Sequence, residues 1–388
     1  MGLRFVCQLV LCAACLRFSK GKLLILTVSL CLTTCFLSAW LDNVTTVLLM
    51  VPMTIEVFEV MKKDPIPLLI AQAILSNVGG CTTVIGDSAT IIIGNQLRHY
   101  IGFIDFLIAM APGVALVIPF ALTTLILLHR SDLAGHVDNF EEVLAIVDQY
   151  TITEWALFYK CIYVTGAVII GFLLQPIHGL APAWIAVIGA TVLILATEPK
   201  DVHAVLHAVE WDMLLFFAGM FIMVEAAAEL GLIRRIVQFL QLVIDSAPAG
   251  SKQIAAIEAI LWFSAIFSAL LDNVPYVITM LPVIEQLAAS RPNLDLRIMA
   301  WCLAFGACLG GNATMIGASA NIVTVGLAAE RGYKISFVYW LRTGVPTTIM
   351  AVSAANIYLI ARYGFAGNNS PHHNETRSLL FRDHARFA

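Results

Sequence analysis

Long runs of apolar residues follow one another through almost the whole chain. A helix that crosses a bilayer needs about 20 predominantly apolar residues. Runs near that length occur at 23–41, 44–61, 66–97, 103–128, 155–174, 183–197, 211–231, 253–271, 274–289, 296–328 and 335–362. The pattern predicts an all-α polytopic membrane protein with about 9–11 membrane segments.

Two of these runs are interrupted by clusters of glycine and small polar residues. The run 66–97 contains GGCTTVIGDSAT at 79–90, and the run 296–328 contains GGNATMIGASAN at 310–321. Such sequences form continuous helix poorly. Non-helical backbone at membrane depth persists only where protein or a hydrated cavity satisfies its polar groups. Each break is therefore predicted to form part of a cavity wall.

The polar segments between and around these runs suggest a domain organisation. We expect a first transporter repeat at 23–128, an acidic linker at 129–154, a second repeat at 155–364 and a disordered polar tail at 365–388. Residues 1–22 are interpreted as the remnant of an upstream helix, with a signal-like start as the alternative. The segment 233–244 has charge and glutamine on one side, which predicts a helix lying in the membrane interface.

Two motifs occur twice, in the same order and at nearly the same spacing. At an offset of 230 residues, SAWLDNVTTVLLMVPMT at 38–54 aligns with SALLDNVPYVITMLPVI at 268–284, with nine of 17 positions identical. At an offset of 231, GGCTTVIGDSATI at 79–91 aligns with GGNATMIGASANI at 310–322, with eight of 13 identical. Repetition of two ordered motifs indicates a duplication.

The number of crossings between the two copies predicts their relative orientation. Seven predicted segments separate Asp42 from Asp272, and an odd number inverts the second copy. If the helix pairs around Asp42 and Asp272 are re-entrant hairpins, two crossings are lost and the number stays odd. Inverted repeats with broken helices are the architecture of secondary transporters, which bind substrate near the midplane where the copies meet.

The repeated motifs also supply candidate ligands for ions. A charged group inside a membrane costs free energy, so the Asp-Asn pairs in the apolar runs are expected to have a function. Carboxylates and carbonyls favour Na⁺ or H⁺, whereas the N-terminus of a half-helix favours an anion. The predicted substrate- and ion-binding residues are Asp42, Asn43, Thr45, Gly79, Gly80, Thr82, Asp87, Thr90, Asp272, Asn273, Gly310, Gly311, Asn312, Thr314, Ser319 and Asn321.

Structural roles for these residues remain open alternatives. The aspartates could cap helices, and Asn or Thr can join membrane helices through hydrogen bonds. The glycine pairs fit a structural role better than a chemical one. Asp87 has no acidic counterpart, because Ala318 occupies the equivalent position.

Composition restricts the class of protein and its partners. The chain is 60% hydrophobic and 12% charged, whereas soluble domains carry about 25% charged residues. The net charge of −4 and the lack of a basic block argue against nucleic acid. No cofactor and no metal other than Na⁺ at the same residues is expected. The expected partners are a small anion or ion and membrane lipid, and a homodimer is left open.

Four motifs carry a resemblance to a known family. LDNVTTVLLMVP, SNVGG with IGD, WDMLLFFAGMFIMVEAAAELGLI, and LAFGACLGGNATMIGASANIV occur in family order between 18 and 364. With these motifs the chain resembles the pink-eyed-dilution P protein family. That family belongs to an ion transporter superfamily with arsenite efflux pumps, sodium/proton antiporters and citrate-type carriers. The resemblance implies a polytopic transporter with a citrate-transporter-like domain, in an acidic organelle membrane or the plasma membrane.

The chain departs from the family pattern in three places. The first break of the family usually reads GDPPN, but residues 86–90 here read GDSAT, while the second copy keeps Asn321. Counterparts of the spans at 155–231 are missing before Lys20, so we expect an N-terminally truncated form. The linker at 129–149 is shorter than in the vertebrate relatives, so pigment-specific regulation is not carried over.

The predicted function is secondary active transport of a small ion or organic anion, coupled to H⁺ or Na⁺, with alternating access between the repeats. A passive chloride channel could share the fold, and dependence of flux on a gradient distinguishes the two. An inactive or regulatory truncated form is a further alternative. An enzyme is not expected, because neither GxSxG nor HExxH occurs in the chain.

Overall fold

The computed structural model describes residues 14–133, 155–197, 211–248, 251–291 and 294–364. Residues 1–13 of the predicted start at 1–22, most of the acidic linker and the polar tail lie outside these ranges. The domain boundaries drawn from the sequence therefore stay a prediction.

The first copy of the repeat forms five helices. They are α1 (Leu23–Ser38), α2 (Asn43–Val60), α3 (Ile66–Gly80), α4 (Ser88–Gln96) and α5 (Phe103–Leu128), and a short helix, Arg130–Leu133, follows α5. The first break separates α3 from α4. Helix starts and ends agree closely with the apolar runs of the sequence.

The described residues in the middle of the chain form four longer helices. They are α6 (Trp155–Leu173), α7 (Pro182–Thr197), α8 (Trp211–Glu229) and α9 (Leu232–Asp245), with a short helix, Gln175–His178, between α6 and α7. Helix α9 buries Ile233, Val237, Leu240 and Ile244 and exposes Phe239 and Leu242. This amphipathic helix is the one that the sequence predicted at 233–244.

The second copy repeats the first in the same order. It consists of α10 (Lys252–Leu270), α11 (Asn273–Ser290), α12 (Leu296–Gly310), a 3₁₀ turn (Gly311–Ala313), α13 (Ser319–Glu330) and α14 (Phe337–Leu359), which continues into a π-helical turn (Ile360–Gly364). The second break lies between α12 and α13. The two broken runs thus fold alike.

Six of the described helices are long and apolar enough to cross a membrane: α2, α5, α6, α10, α12 with its 3₁₀ turn, and α14 with its π-helical turn. Helices α1, α3 and α7 are shorter and also apolar. Together these elements confirm the predicted all-α, multi-pass membrane protein.

The two helical hairpins, α1–α2 and α10–α11, open toward opposite ends of the molecule. We call End 1 the end at which Glu56, near the end of α2, pairs with Arg331 after α13 at 3.4 Å. We call End 2 the end at which Asp245 pairs with Lys252, at the start of α10, and with Arg291, which follows α11. Opposite hairpins are the geometry that the predicted inversion requires.

Helices α5 and α14 connect the two copies by packing side by side in opposite directions. His129 after α5 contacts Thr343 near the start of α14 at 3.0 Å, on the side of End 1. Arg362 in the π-helical turn donates to the carbonyl of Ile108 at 2.9 Å, toward End 2. These contacts place the broken helices of both copies in one continuous buried core.

The glycine pairs permit close packing of each break against its hairpin. A Cβ atom on Gly79 would lie 2.0 Å from the carbonyl oxygen of Cys35, and one on Gly310 would lie 2.4 Å from that of Ala265. Gly80 and Gly311 meet Gly86 and Gly317 equally closely, across the turn of each break. Any larger side chain at these positions would displace backbone.

Candidate ion site between the two repeats

Four helices begin at the place where the repeats meet: α2, α4, α11 and α13. Their first residues come from the two hairpin tips and the two breaks. Each helix N-terminus carries about half a positive charge and unpaired backbone N–H groups. The fold therefore gathers positive dipole ends at this site, and the side chains there determine how much of that charge is compensated.

Asp42 and Asp272 cap the second helix of each hairpin. The Asp42 carboxylate accepts from the backbone N–H groups of Val44 at 3.0 Å and Thr45 at 3.3 Å. The Asp272 carboxylate accepts from the N–H of Val274 at 3.2 Å. Both are partly buried and close enough to Asp87 to act on it electrostatically. Capping accounts for their place in the sequence, and an ion-binding role for either stays a prediction.

Asp87 is the only buried carboxylate among the described residues, with 1% of its surface exposed. It caps α4, and one oxygen accepts from the N–H of Ala89 at 2.9 Å. The other oxygen accepts from the side-chain amide of Asn43 at 3.0 Å. Thr90 closes the capping box, because its hydroxyl oxygen accepts from the Asp87 N–H at 3.2 Å.

The same carboxylate also binds the hairpin of the other repeat. The side-chain amide of Asn273 donates to both oxygens of Asp87, at 3.1 and 3.2 Å. The tips of both hairpins are therefore tied to one acidic group in the first break. A buried carboxylate is stable as an ion only when such donors replace water.

Asn77, near the end of α3, makes a second connection between the repeats. Its side-chain oxygen accepts from Asn43 at 2.9 Å. Its nitrogen donates to the side-chain oxygens of Asn312 at 2.8 Å and Asn321 at 3.0 Å, both in the second break. Asn77 was missed in the sequence because the equivalent position of the second copy is Cys308.

Asn321 and Trp340 hold the second break in shape. Asn321 donates its amide to the carbonyls of Gly311 at 3.0 Å and Thr314 at 2.9 Å. The indole N–H of Trp340 donates to the carbonyl of Asn312 at 3.2 Å. These bonds satisfy backbone carbonyls that the break removes from the helical pattern.

The site is asymmetric although the backbone repeats. Asp87 caps α4, but its counterpart Ala318 has no side chain that could cap α13. The N–H of Ala320, equivalent to that of Ala89, consequently lacks this carboxylate. The negative group and the uncapped helix end belong to different repeats.

Two buried side-chain atoms of the network have no hydrogen-bond partner among the described residues. They are the oxygen of Asn273 and the nitrogen of Asn312. Both side chains are almost fully buried, at 1% and 0% exposure. An unpaired buried polar atom costs about 1–3 kcal/mol, so an acceptor and a donor are both available for a ligand.

The remaining predicted residues lie around this network. Thr45 and Ser319 are partly buried in the first turns of α2 and α13, and Thr82 is partly buried in the first break. Thr314 donates to the carbonyl of Ala269 at 2.7 Å, which fastens the second break to its hairpin. Whether these residues and the four glycines bind ions stays a prediction.

Thr83, which is not among the predicted site residues, is the counterpart of Thr314. It donates to the carbonyl of Ala39 at 2.6 Å, just as Thr314 does to that of Ala269. The alignment at an offset of 231 already pairs these two threonines. The signal was therefore present in the sequence.

The side chains of this network are a carboxylate and amides, which offer oxygen atoms as ligands. The described residues contain no group of three or more His, Cys, Asp or Glu side chains that could hold a metal ion. Amide, carboxylate and backbone oxygens are the ligand types that hard cations prefer. The chemistry of the site is thus compatible with Na⁺ or H⁺.

Comparison with known proteins agrees with this architecture. The citrate transporter family matches residues 10–306. The human P protein is 34% identical over 91% of this chain and 50% of its own length, so the chain spans about half of that relative. A 46 kDa membrane protein of Mycobacterium leprae is 34% identical over 89% of this chain and 79% of its own length. An uncharacterized transporter of Mycobacterium tuberculosis is 37% identical over 86% and 76%, respectively.

The fold and the family define an integral, multi-pass membrane protein of a transporter class. The chain belongs to the citrate transporter family, and its relatives include the P proteins. The resemblance seen in the four sequence motifs is confirmed.

Proposed function

We propose that the chain is a secondary active transporter of a small anion, coupled to H⁺ or Na⁺, with the site between the repeats as its binding site. It would work as a carrier and not as an enzyme. The observation that supports this most strongly is Asp87, a buried carboxylate held by Asn43 from one hairpin and Asn273 from the other. One protonation or ion-binding event there acts on both repeats.

The hydrogen bonds around Asp87 suggest how the coupling ion acts. In this structure Asp87 accepts from the N–H of Ala89 and from two side-chain amides, a set of donors that suits an ionised carboxylate. A proton or Na⁺ at Asp87 requires these amides to turn away or to present their oxygens. Because Asn43 and Asn273 begin α2 and α11, the change is transmitted to both hairpins.

The uncapped start of α13 is the proposed place for the anion. A helix N-terminus favours negative charge, and the Ala318 position provides no carboxylate to compensate it. The unpartnered nitrogen of Asn312 supplies a second, independent donor. It belongs to the same cluster, since Asn77 donates to both Asn312 and Asn321. The cation and the anion thus bind to neighbouring halves of one site.

Flux measurements in proteoliposomes test this proposal. A panel of anions that includes chloride, arsenite and citrate is offered under imposed proton or sodium gradients. We expect uptake of at least one anion to follow one of the gradients. Flux that does not depend on either gradient would indicate a passive channel. Absence of flux under every condition would overturn the proposal.

Asp87→Asn is the decisive variant, and Asp295→Asn is its matched control. Asparagine can still cap α4 but cannot carry charge or a titratable proton. Asp295 likewise caps a helix, α12, through the N–H of Arg297 at 2.9 Å, outside the network. We expect Asp87→Asn to abolish gradient-driven uptake and Asp295→Asn to retain it. Equal uptake by both variants would contradict the coupling role.

A further inference from the structure

Helices α2 and α13 run side by side from the ion site to End 1, where their ends surround an open cavity. They start at the hairpin tip and at the second break, and Glu56 pairs with Arg331 near their far ends. The cavity has a volume of about 510 Å³. Because α5 and α14 qualify as membrane spans and meet at End 1 through His129 and Thr343, we place the cavity at the level of lipid headgroups.

The two helices end with the same backbone motif but with different residues at its left-handed position. After α13, Gly332 has a φ of +87°, and the N–H of Tyr333 donates back to the carbonyl of Ala328 at 2.9 Å. After α2, Lys62 has a φ of +52°, and the N–H of Lys63 donates to the carbonyl of Phe58 at 3.0 Å. Glycine is the favoured residue in this conformation.

Lysine is less favourable than glycine in this conformation, so Lys62 is not explained by the backbone alone. The repeat shows that folding of these helix ends does not need lysine. In the second copy, the residues equivalent to Lys62 and Lys63 are Pro292 and Asn293, and in the first copy the residue equivalent to Lys334 is Phe103. The fold therefore does not require lysines at these ends.

Three lysines line the cavity, namely Lys62, Lys63 and Lys334. Among the ion pairs that the described residues form, none within 4 Å involves these ammonium groups. Lysine is a mobile point charge that suits phosphate groups. The three ammonium groups are thus available to one anionic group.

Two carboxylates, those of Glu59 and Asp64, line the same cavity beside Tyr333. Partial burial, followed by the negative charges of Glu59 and Asp64, raises the pKa of the Tyr333 hydroxyl. The two carboxylates and that hydroxyl thus line one cavity. A ligand with only negative charge would be repelled there, whereas a ligand that also carries an ammonium group would be attracted.

We propose that this cavity binds the headgroup of a membrane phospholipid that carries a phosphate and a primary ammonium group, as in phosphatidylethanolamine. The phosphate contacts Lys62, Lys63 and Lys334, and the ammonium group contacts Glu59 and Asp64. The apolar side chain of Ile66 on the lining meets the glycerol end of the lipid. The inference does not depend on the transported substrate.

The test uses the full chain in neutral detergent, with thermal unfolding measured during titration with lipid. Dihexanoyl-phosphatidylethanolamine is compared with the phosphatidylcholine and phosphatidylglycerol of the same chain length and with soluble phosphoethanolamine. We expect a saturable rise in Tm with the ethanolamine lipid and a smaller rise with the other two. A similar rise with phosphoethanolamine would show that the headgroup alone suffices, and a rise with the lipid only would show that the acyl chains contribute.

Lys62→Gly separates binding from folding, because glycine fits the left-handed position better than lysine does. We expect this variant to unfold at or above the wild-type temperature without lipid, but to bind the ethanolamine lipid about ten-fold more weakly. Lys20→Gly is the matched control, since Lys20 also has a positive φ, of +48°, and does not line the cavity.

Two results would overturn the proposal. One is a lipid-dependent shift that is the same in the wild type, Lys62→Gly and Lys20→Gly. The other is a phosphatidylcholine response equal to that of phosphatidylethanolamine, because a trimethylated ammonium group cannot donate hydrogen bonds to the two carboxylates.

Discussion

Asp87 in the first repeat and Asn273 in the second are joined by two hydrogen bonds, at 3.1 and 3.2 Å, although 186 residues separate them along the chain. Asn43 binds the same carboxylate from its own repeat. One acidic side chain therefore holds the tips of both hairpins.

Removing the two partners singly and together should reveal their coupling. A hydrogen bond to a charged group contributes about 1.5–3 kcal/mol, so Asn273→Ala and Asp87→Ala should each destabilise the protein, and their effects should not add. We expect a coupling free energy of the same size, about 1.5–3 kcal/mol, from unfolding in detergent. If the changes in unfolding free energy of the two single variants simply added in the double variant, the contact would be contradicted.

Substitution of the glycines at the breaks should destabilise the fold. The Cβ of Gly79→Ala or Gly310→Ala would collide with a backbone carbonyl, and overpacking costs about 1–3 kcal/mol. Gly326→Ala in α13 is the control, because nothing lies within 4 Å of its Cβ and alanine favours helix. In thermal unfolding, Gly326→Ala should have the highest Tm of the three variants. Equal stability of all three would exclude the tight packing.

A cap on α13 should weaken anion binding without unfolding the protein. In Ala318→Ser, the small hydroxyl can accept from the N–H of Ala320 and compete with the anion for it. We expect the KM for the transported anion to rise about ten-fold, which corresponds to about 1.4 kcal/mol. Asp295→Ala, which removes a cap on α12, should lower stability by about 1 kcal/mol and leave this KM unchanged. An unchanged KM in Ala318→Ser would place the anion elsewhere.

Asp272→Asn and Asp42→Asn should show whether the hairpin aspartates do more than cap. Asparagine is as good an N-cap as aspartate, so both variants should fold with a Tm close to that of the wild type. If the charge at the tips helps to bind the coupling ion, gradient-driven uptake should be lost in Asp272→Asn. Full uptake by the folded variant would leave Asp272 with a helix-capping role, through its observed contact to the N–H of Val274.

The amino-acid sequence by itself determined the helices, the two breaks and the repeat. These features are local or periodic: the length of an apolar run determines a span, and clustered glycine and threonine end a helix. Asp42 and Asp272 precede α2 and α11, where an N-cap is expected. The short amphipathic helix at 233–244 was likewise predictable from its pattern.

The tertiary structure decided which polar side chains meet. Asn77 donates to Asn312 across 235 residues of chain, and the SNVGG motif that contains Asn77 does not indicate this partner. Asp87 lacked an acidic counterpart, yet it is the acceptor for both hairpins, whereas the repeated Asp42 and Asp272 cap helices. Sequence symmetry shows what the two copies share. Hydrogen bonds between them depend on side chains from opposite repeats, which only the packing of the inverted halves brings together.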